Sequence, residues 1–410
     1  MLTLRGRDMS KKTVCVAGKN DIAVNILEYL YSIQGDAFDL VVSCNRNEDG
    51  QNGWQKSLRF FAERLGIREV ALEELYEIED LVFLSLEYDR IIRPHLFKTK
   101  QLYNIHFSAL PKYKGMYTSA LPLLNDENEG GVTFHRIASG IDTGEIIRQK
   151  LFEIDEACTS RDLYLKCIEN GTEVVKAELK NVLEDTCVST PQPAAHSSYY
   201  SKAAIDYSNL VIDTNTTAYG IGRQLRAFTF REYQLPKVSG HTIFDYAITS
   251  ELSTQKPGTV LKESEDCITI ATVDYDMVLC FDVYDKIIQA CKNGDLEYLK
   301  SVSNIEKYLE QKNHKGWTPL IVAVYNNQKD IVEFLLERGA DIRVKNHNGT
   351  NLLMYAKNTY LNTGDSSLFE KMLAKGIGAE ETDYMGYDLY FYIKDIDEEK
   401  KERLYNILKK

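Results

Sequence analysis

Residues 104–144 read NIHFSALPKYKGMYTSALPLLNDENEGGVTFHRIASGIDTG, and this stretch decides how the chain is interpreted. It places Asn104 and His106 two positions apart in a strand-like run, and Asp142 near its end. An amide can donate to a developing oxyanion, an imidazole can act as a general base, and a carboxylate can orient that imidazole. The three side chains together are therefore typical of acyl transfer.

Each of these residues also has an ordinary structural interpretation. A single histidine in a strand is usually satisfied within the core, and we interpret His95 and His135 in that way. Asn104 alone is compatible with a loop cap, and Asp142 beside glycine favours a turn. Because the loop SALPKYKG (108–115) lies between them, the joint pattern favours catalysis over these separate explanations.

The residues before this stretch alternate between strand-like and helix-like segments. TVCVAG (13–18), DLVVSCN (39–45) and DLVFLSLEY (80–88) are apolar runs. DIAVNILEYLYSIQ (21–34) and WQKSLRFFAERLGI (54–67) carry apolar residues at helical spacing. This alternation predicts a parallel α/β sheet, in which ligands bind beyond the carboxyl ends of the strands. The first strand is followed by GKND and not by G-x-G-x-x-G, which argues against a nicotinamide-dependent enzyme.

Bulk properties narrow the class of protein. A chain of 410 residues predicts two or three domains, and 44% hydrophobic with 27% charged residues is ordinary for a soluble protein. A net charge of −12 argues against a nucleic-acid partner. The eight cysteines show no metal-binding spacing, and no apolar run reaches membrane-spanning length. We therefore expect a cytoplasmic enzyme without a metal site.

The order Asn-x-His, then S-x-L-P with a later glycine, then G-x-D-T-G resembles the formyltransferase family that uses 10-formyltetrahydrofolate. The resemblance covers residues 12–190, with weaker similarity to about residue 280. It implies a Rossmann-like α/β fold and transfer of a formyl group to a primary amine without a metal. In this reading Asn104 and protonated His106 stabilise the oxyanion, His106 receives the amine proton, and Asp142 holds His106.

The same resemblance implies a folate cleft lined mainly by backbone. An ordinary strand end is the alternative for SLEYDRI (85–91). Lys114 stands where tRNA-directed members usually carry arginine, and this loosens the link to those members. The residues implied to bind the folate are Leu86, Glu87, Tyr88, Ser108, Leu110, Pro111, Gly115 and Asp142.

After residue 190 the chain changes character. VSTPQPAAHSS (188–198) is typical of a linker, and residues 257–272 predict two strands joined by a turn. Cations interleaved with aromatic residues over 223–237 suit a nucleotide diphosphate or, equally, a helix packed on the first domain. RAFTFREYQLP (226–236) resembles a segment of nucleotide-sugar N-formyltransferases, which favours the nucleotide. The residues implied to bind this substrate are Tyr117, Tyr200, Lys202, Arg226, Phe228, Phe230 and Tyr233.

The C-terminal third reads as an ankyrin array. KGWTPLIVAVYNNQKDIVEFLLERGADI (315–342) has the repeat pattern, and Gly349 lies 33 positions after Gly316. In the second copy the triplet TNL takes the place of TPL. A protein partner is the usual ligand of such an array. The alternative is a second nucleotide-sugar site, for which the candidate residues are Trp317, Tyr325, Tyr355 and Lys345.

The sequence thus predicts four segments: a loose N-terminal lead (1–11), a formyltransferase domain (12–190), a middle segment with a nucleotide-binding helix and a β-hairpin (191–283), and an all-α ankyrin-repeat solenoid (284–410). The resemblance implies formylation of a dTDP-linked 3-amino-3,6-dideoxyhexose for O-antigen or other lipopolysaccharide synthesis, by a homodimer. The alternatives are a dTDP- or UDP-4-amino sugar, a tRNA substrate, and an inactive ankyrin interaction protein.

Overall fold

The computed structural model describes residues 11–409, so the predicted N-terminal lead lies outside the described residues except for Lys11. Two compact units are present. The first ends at Asp282, and the second begins at Val283 and also includes Asn52–Gln55. Over residues 11–409, none of the helices combines the length and the apolar character that crossing a bilayer requires.

A seven-stranded sheet, counted over the described residues, forms the centre of the first unit. Its order is β3-β2-β1-β4-β5-β7-β8, and β6 pairs separately with β9. The strands are β1 (Lys12–Gly18), β2 (Phe38–Cys44), β3 (Arg68–Glu69), β4 (Leu81–Leu86), β5 (Leu102–His106), β6 (Lys114–Gly115), β7 (Glu129–Arg136), β8 (Ile146–Glu153) and β9 (Tyr199–Tyr200). The helices are α1 (Asn20–Gln34), α2 (Leu58–Arg64), α3 (Leu72–Leu75), α4 (Leu121–Leu124) and α5 (Ser160–Leu183). The predicted α/β fold is confirmed.

The parallel strands β1, β4 and β5 end at one edge of this sheet. Ser85 pairs with Asn104 there, in the β4–β5 register. One face of the sheet carries an apolar cluster that includes Phe83 and Leu102. Because side chains alternate along a strand, Asn104 and His106 lie on the same face as Leu102, just beyond this cluster. The alternation of side chains along β5 therefore places Asn104 and His106 at the carboxyl edge of the sheet.

Sequence periodicity overestimated one helix. The segment 54–67 was predicted to be helical, but α2 begins only at Leu58. The reason is the Ser57 side chain, which accepts the backbone N–H of Phe60 at 3.0 Å and so caps the helix at that point.

The remainder of the first unit is an antiparallel sheet with one helix. The strands are β10 (Lys237–Val238), β11 (His241–Leu252), β12 (Val260–Glu263), β13 (Cys267–Ile270) and β14 (Tyr275–Phe281), and the helix is α6 (Ala218–Phe228). Their order is β10-β11-β14-β13-β12. The predicted β-hairpin is formed by β12 and β13, and it belongs to a five-stranded sheet.

The second unit is built from helix pairs, as expected for ankyrin repeats. The helices are α7 (Tyr284–Asn293), α8 (Leu296–Ser301), α9 (Pro319–Tyr325), α10 (Lys329–Glu337), α11 (Leu352–Thr363), α12 (Ser367–Ala374), α13 (Leu389–Ile393) and α14 (Glu398–Leu408). Thr318, Asn351 and Asp388 cap α9, α11 and α13 with their side chains. Asn351 lies 33 positions after Thr318. The asparagine of TNL is therefore equivalent to the threonine of TPL, which shifts our alignment of the two triplets by one residue.

Candidate active site

Four polar side chains meet on β5, on the antiparallel neighbour β7 and in the loop that follows β7. Asn104 and His106 belong to β5, and Asn104 pairs across the sheet with His135 of β7. Asp142 lies in the loop between β7 and β8, at a positive φ of 52°. The structure thus brings together the three residues predicted from the sequence and adds His135, which we had interpreted as a core histidine.

Asn104 and His135 form one half of this group. Asn104 Nδ2 lies 3.1 Å from His135 Nε2, and His135 Nδ1 lies 2.8 Å from the carbonyl of Arg136. A carbonyl only accepts, so a proton is assigned to His135 Nδ1; in the tautomer whose only proton is on Nδ1, Nε2 accepts from the amide. Asp142 Oδ1 is 3.7 Å from the same Nε2. His135 therefore fixes which way the Asn104 amide faces.

His106 forms the other half. Its Nε2 lies 2.8 Å from the carbonyl of Tyr113, and its Nδ1 lies 3.5 Å from Asp142 Oδ2. Burial lowers the pKa of His106 below its ordinary value, while the Asp142 carboxylate and the Tyr113 carbonyl raise it by less and His135 lowers it further. The imidazole is consequently neutral near pH 7, with its lone pair at Nδ1.

Asp142 is held as a carboxylate. Burial opposes its ionisation, but His135, the positive charge that His106 carries when protonated, and the Gly115 N–H together lower the pKa of Asp142 to about 2. The Gly115 N–H donates to Asp142 Oδ2 at 2.9 Å. Gly144 explains the tight turn after it, because a Cβ there would lie 1.6 Å from the Arg136 carbonyl oxygen. Asp142 contacts His106 by charge, whereas the bond that orients the ring comes from Tyr113.

A cavity of about 190 Å³ opens beside these groups and includes Asn104, His135 and Asp142 in its wall. Of the predicted folate residues, Tyr88 and Asp142 line it. Leu86 is buried. The backbone carbonyl of Glu87 accepts from the Asn45 amide at 2.9 Å. Arg90 and residues 137–141 also line this cavity, and the sequence did not single them out.

The other predicted folate residues lie around the loop that follows β5. Ser108 and Pro111 line a second cavity of about 280 Å³, and Leu110 is buried. Gly115 holds Asp142 through its backbone, as described above. These four residues therefore shape the loop that carries Tyr113.

Three of the predicted substrate residues form one neighbourhood. The Tyr117 hydroxyl donates to the Lys202 carbonyl at 2.9 Å, and both residues line a surface cavity with Tyr207. Tyr200 stacks on Tyr113 with ring centroids 5.7 Å apart. This neighbourhood is joined to the loop that orients His106.

The predicted substrate residues around α6 are divided between core and surface. Phe228 and Phe230 are only 6% and 4% exposed. Arg226 donates to the Cys158 carbonyl at 3.2 Å. Tyr233, by contrast, is 58% exposed, and its ring is tilted by 50° against that of Phe230. The structure thus favours the packing interpretation for both phenylalanines and leaves Tyr233 at the surface.

Aromatic residues also cluster in the ankyrin unit. The Trp317 ring centroid lies 4.9 Å from that of Tyr325 and 5.2 Å from that of Tyr355. Lys315 Nζ lies 5.5 Å from the Trp317 ring. Lys345 pairs with Glu381 at 3.5 Å. Within residues 11–409 there is no group of three or more His, Cys, Asp or Glu side chains suited to holding a metal ion.

Comparisons with known proteins place this chain in a family. The Formyl transferase family matches residues 47–179, and the Ankyrin repeats family, in three copies, matches residues 287–380. The structure of WlaRD, a sugar 3N-formyl transferase determined in the presence of dTDP and 5-N-formyl-THF, is 40% identical. That alignment covers 66% of this chain and 98% of WlaRD, with a TM-score of 0.61. The chain belongs to the sugar N-formyltransferases.

A second solved structure supports the membership of this chain in the sugar N-formyltransferases. The N-formyltransferase from Helicobacter canadensis, in complex with folinic acid and dTDP-3-aminofucose, is 39% identical over 66% of this chain and 100% of its own, with a TM-score of 0.62. Methionyl-tRNA formyltransferases are more distant. The one from Fervidobacterium nodosum is 27% identical over 223 residues, 52% of this chain and 69% of the relative. The one from Acetivibrio thermocellus is 31% identical over 180 residues, 41% of this chain and 54% of the relative. The predicted formyltransferase and ankyrin assignments are confirmed.

Proposed function

We propose that the enzyme transfers the formyl group of 10-formyltetrahydrofolate to the amino group of a dTDP-linked 3-amino-3,6-dideoxyhexose used in surface polysaccharide synthesis. The observation that carries this proposal is the meeting of Asn104, His106 and Asp142 at one edge of the sheet. The choice of sugar is supported by the two relatives at 39% and 40% identity, whose structures contain dTDP-3-aminofucose and dTDP.

Asn104 is proposed to bind the oxyanion. A side-chain amide has two N–H donors, and one is directed at His135 Nε2 at 3.1 Å. The second remains to stabilise negative charge on the formyl oxygen as the amine attacks. Because His135 fixes the amide orientation, this donor is aimed before substrate binds, which is what makes such stabilisation effective.

His106 is proposed to accept the amine proton at Nδ1. This nitrogen carries the lone pair because Nε2 faces the Tyr113 carbonyl. Once protonated, the ring is charged beside Asp142 Oδ2, 3.5 Å away, and this carboxylate stabilises it. Protonated His106 also adds to the stabilisation of the oxyanion and returns the proton to the departing nitrogen.

The 190 Å³ cavity is the proposed folate site. Its wall combines residues 137–141 with Tyr88 and Arg90. We propose that backbone amide groups of 137–141 supply the donors and acceptors that a pteridine ring requires. When bound there, 10-formyltetrahydrofolate supplies the formyl group as an activated amide. The chain itself contributes orientation and charge, through Asn104 and Asp142 in the same wall.

The nucleotide sugar is proposed to bind along Tyr117, Tyr200 and Lys202, with Tyr233 as an exposed aromatic contact. The buried Phe228 and Phe230 then support this surface from below. A homodimer remains a prediction of the family resemblance.

A turnover assay with a panel of acceptors tests the proposal. Purified protein and 10-formyltetrahydrofolate are incubated separately with dTDP-3-amino, dTDP-4-amino and UDP-4-amino sugars and with methionyl-tRNA, and mass spectrometry follows the gain of one formyl group. We expect formylation of the dTDP-3-amino sugar. Preference for a 4-amino sugar would correct the acceptor, and product on tRNA alone would contradict the assignment.

The aromatic cluster of the ankyrin unit suggests a second binding function. Tyr325 is 37% exposed and, with Trp317, offers ring surface for stacking, while Lys315 supplies a cation beside it. We propose that this cluster binds either a protein partner or a second molecule of the nucleotide sugar. Calorimetric titration of the full chain and of Trp317→Ala distinguishes these ligands. If the wild type binds two molecules of nucleotide sugar and the variant binds one, the cluster is a nucleotide-sugar site. If both proteins bind one molecule, the cluster does not bind the nucleotide sugar.

A further inference from the structure

A connector, residues 190–200, runs beside both loops of the active site. Thr190 and Ile146 exchange two backbone hydrogen bonds, each 2.8 Å long. Tyr199 and Tyr200 pair in parallel with Lys114 and Gly115, forming the small β6–β9 sheet. The composition of this region predicts only a linker, but its backbone pairs with the catalytic part of the first unit at both ends.

Ser198 holds the loop that orients His106. Its Oγ accepts the backbone N–H of Tyr113 at 2.8 Å. Its own N–H donates to the Pro111 carbonyl at 3.2 Å, and its carbonyl accepts the Lys114 N–H at 3.0 Å. Tyr113 has a φ of +57°, which residues other than glycine rarely adopt without outside support. One serine thus makes three hydrogen bonds to the strained segment.

The orientation of Tyr113 decides where the His106 proton lies. The Tyr113 carbonyl accepts from Nε2 at 2.8 Å, so the neutral ring carries its proton there. The charged and titratable groups that face His106 are Asp142 and His135. If the carbonyl moved away, Nδ1–H could donate to Asp142, and the lone pair would then lie at Nε2. In that tautomer His106 presents no base beside Asp142.

Gln192, earlier in the connector, holds the opposite loop. Its Nε2 donates to the carbonyls of Asp142 and Gly144, at 2.8 and 2.7 Å. Asp142 also has a positive φ, 52°, and depends on such contacts to keep this conformation. The connector therefore reaches both members of the His106–Asp142 pair through backbone carbonyls.

We infer that Ser198 and Gln192 are positioning residues, and that the connector sets the Nε2–H tautomer of His106 and the placement of Asp142. The kinetic consequence rests on the proposed function, because it takes His106 as the base of formyl transfer. The connector continues into Tyr200 and Lys202, the proposed nucleotide contacts. The strand that meets the substrate is thus the strand that positions the base.

Three serine variants test this role. Ser198→Ala removes the acceptor for Tyr113 N–H, and Ser198→Thr keeps a hydroxyl. Ser197→Ala is a matched control, because Ser197 is exposed and its Oγ accepts from Lys114 Nζ at 2.9 Å. We expect Ser198→Ala to lower kcat at least tenfold and to leave the KM for the amino sugar within about twofold, since misplacement of about 1 Å costs up to ~10² in rate. Ser198→Thr should recover most of the activity, and Ser197→Ala should match the wild type.

The pH profile separates positioning from general destabilisation. The Tyr113 carbonyl raises the pKa of His106, so weakening this contact should move the acid limb of kcat/KM to lower pH. Acid unfolding of a weakened protein would move that limb to higher pH. Two outcomes would overturn the inference. One is an equal loss of kcat in Ser198→Ala and Ser197→Ala; the other is a change in KM for Ser198→Ala with kcat unaltered.

The tautomer itself is measurable without substrate. Long-range proton–nitrogen NMR of ¹⁵N-histidine-labelled full-length protein, with His106 identified by its absence in His106→Gln, should show the proton at Nε2 in the wild type. Ser198→Ala should show a mixture. If the wild type formylates none of the sugars but these spectra appear as expected, the proposed acceptor fails and the positioning role stands. A wild-type proton at Nδ1 would refute the positioning role whatever the activity.

Discussion

Replacing Gly115 by alanine tests whether the loop and connector hold the catalytic geometry. Gly115 has a φ of +90°, and a Cβ added there would lie 2.2 Å from the Tyr200 carbonyl oxygen. Carbon–oxygen contacts in proteins begin at about 3.3 Å, so β6 and β9 must separate by roughly 1 Å. The Gly115 N–H that donates to Asp142 moves with the loop. A displacement of about 1 Å at a catalytic group costs on the order of 10² in rate, and we expect that loss in kcat.

Gly240→Ala provides the matched control. Gly240 has nearly the same φ, +87°, but a Cβ there would have no neighbour within 4 Å. Both variants should lose about 1–3 kcal/mol of stability from backbone strain, and only Gly115→Ala should also lose activity. The assay is steady-state formylation followed by mass spectrometry, with thermal unfolding of each variant in parallel. If kcat of Gly115→Ala stays within about twofold of Gly240→Ala, the loop does not position Asp142 as described.

Three further predictions follow from the site. Asn104→Ala should lower kcat by ~10²–10³ with little change in KM for the sugar, since it removes an oxyanion donor, and steady-state kinetics would show it. Because burial lowers the pKa of His106, kcat/KM should fall only on the acid side of the ordinary histidine range, and a pH–rate profile whose limb lies above about 6.5 would contradict this. The pKa of Asp142, about 2 against the ordinary 3.8, contributes stability that is present above about pH 4 and lost as pH falls towards 2. Between about pH 4 and pH 2, the free energy of unfolding of Asp142→Asn should therefore fall by about 2 kcal/mol less than that of the wild type, as measured by acid denaturation. Equal decreases in the two proteins would refute the low pKa assigned to Asp142.

The parts of the fold that could be predicted are those set by local pattern. The apolar runs of β1, β2 and β4, and the helical spacing of α1, identify their elements within a few residues because burial imposes their periodicity. The convergence of Asn104 and His106 followed from their spacing of two in a strand. Asp142 was found only through its place in a longer motif, since a positive φ in a loop leaves no local periodicity.

Residues whose roles depend on long-range contacts were missed. His135 lies 31 positions from Asn104, and nothing in its own neighbourhood separates it from a core histidine. Ser198 lies 85 positions from Tyr113, in a segment whose composition indicates a linker. Phe228 and Phe230 were assigned to the substrate because RAFTFREYQLP resembles a segment of nucleotide-sugar N-formyltransferases, yet their burial depends on how α6 packs. Pairing across the chain, unlike periodicity, is not visible in one sequence.

Comparing the wild type with His106→Gln tests the central claim most directly. Both proteins would be given 10-formyltetrahydrofolate and a dTDP-3-amino sugar, with the product identified by mass spectrometry and sugar binding measured by calorimetry. We predict one added formyl group with the wild type, and none above background with the variant, although it still binds the nucleotide sugar. Equal turnover by both proteins would contradict the role of His106 as the base.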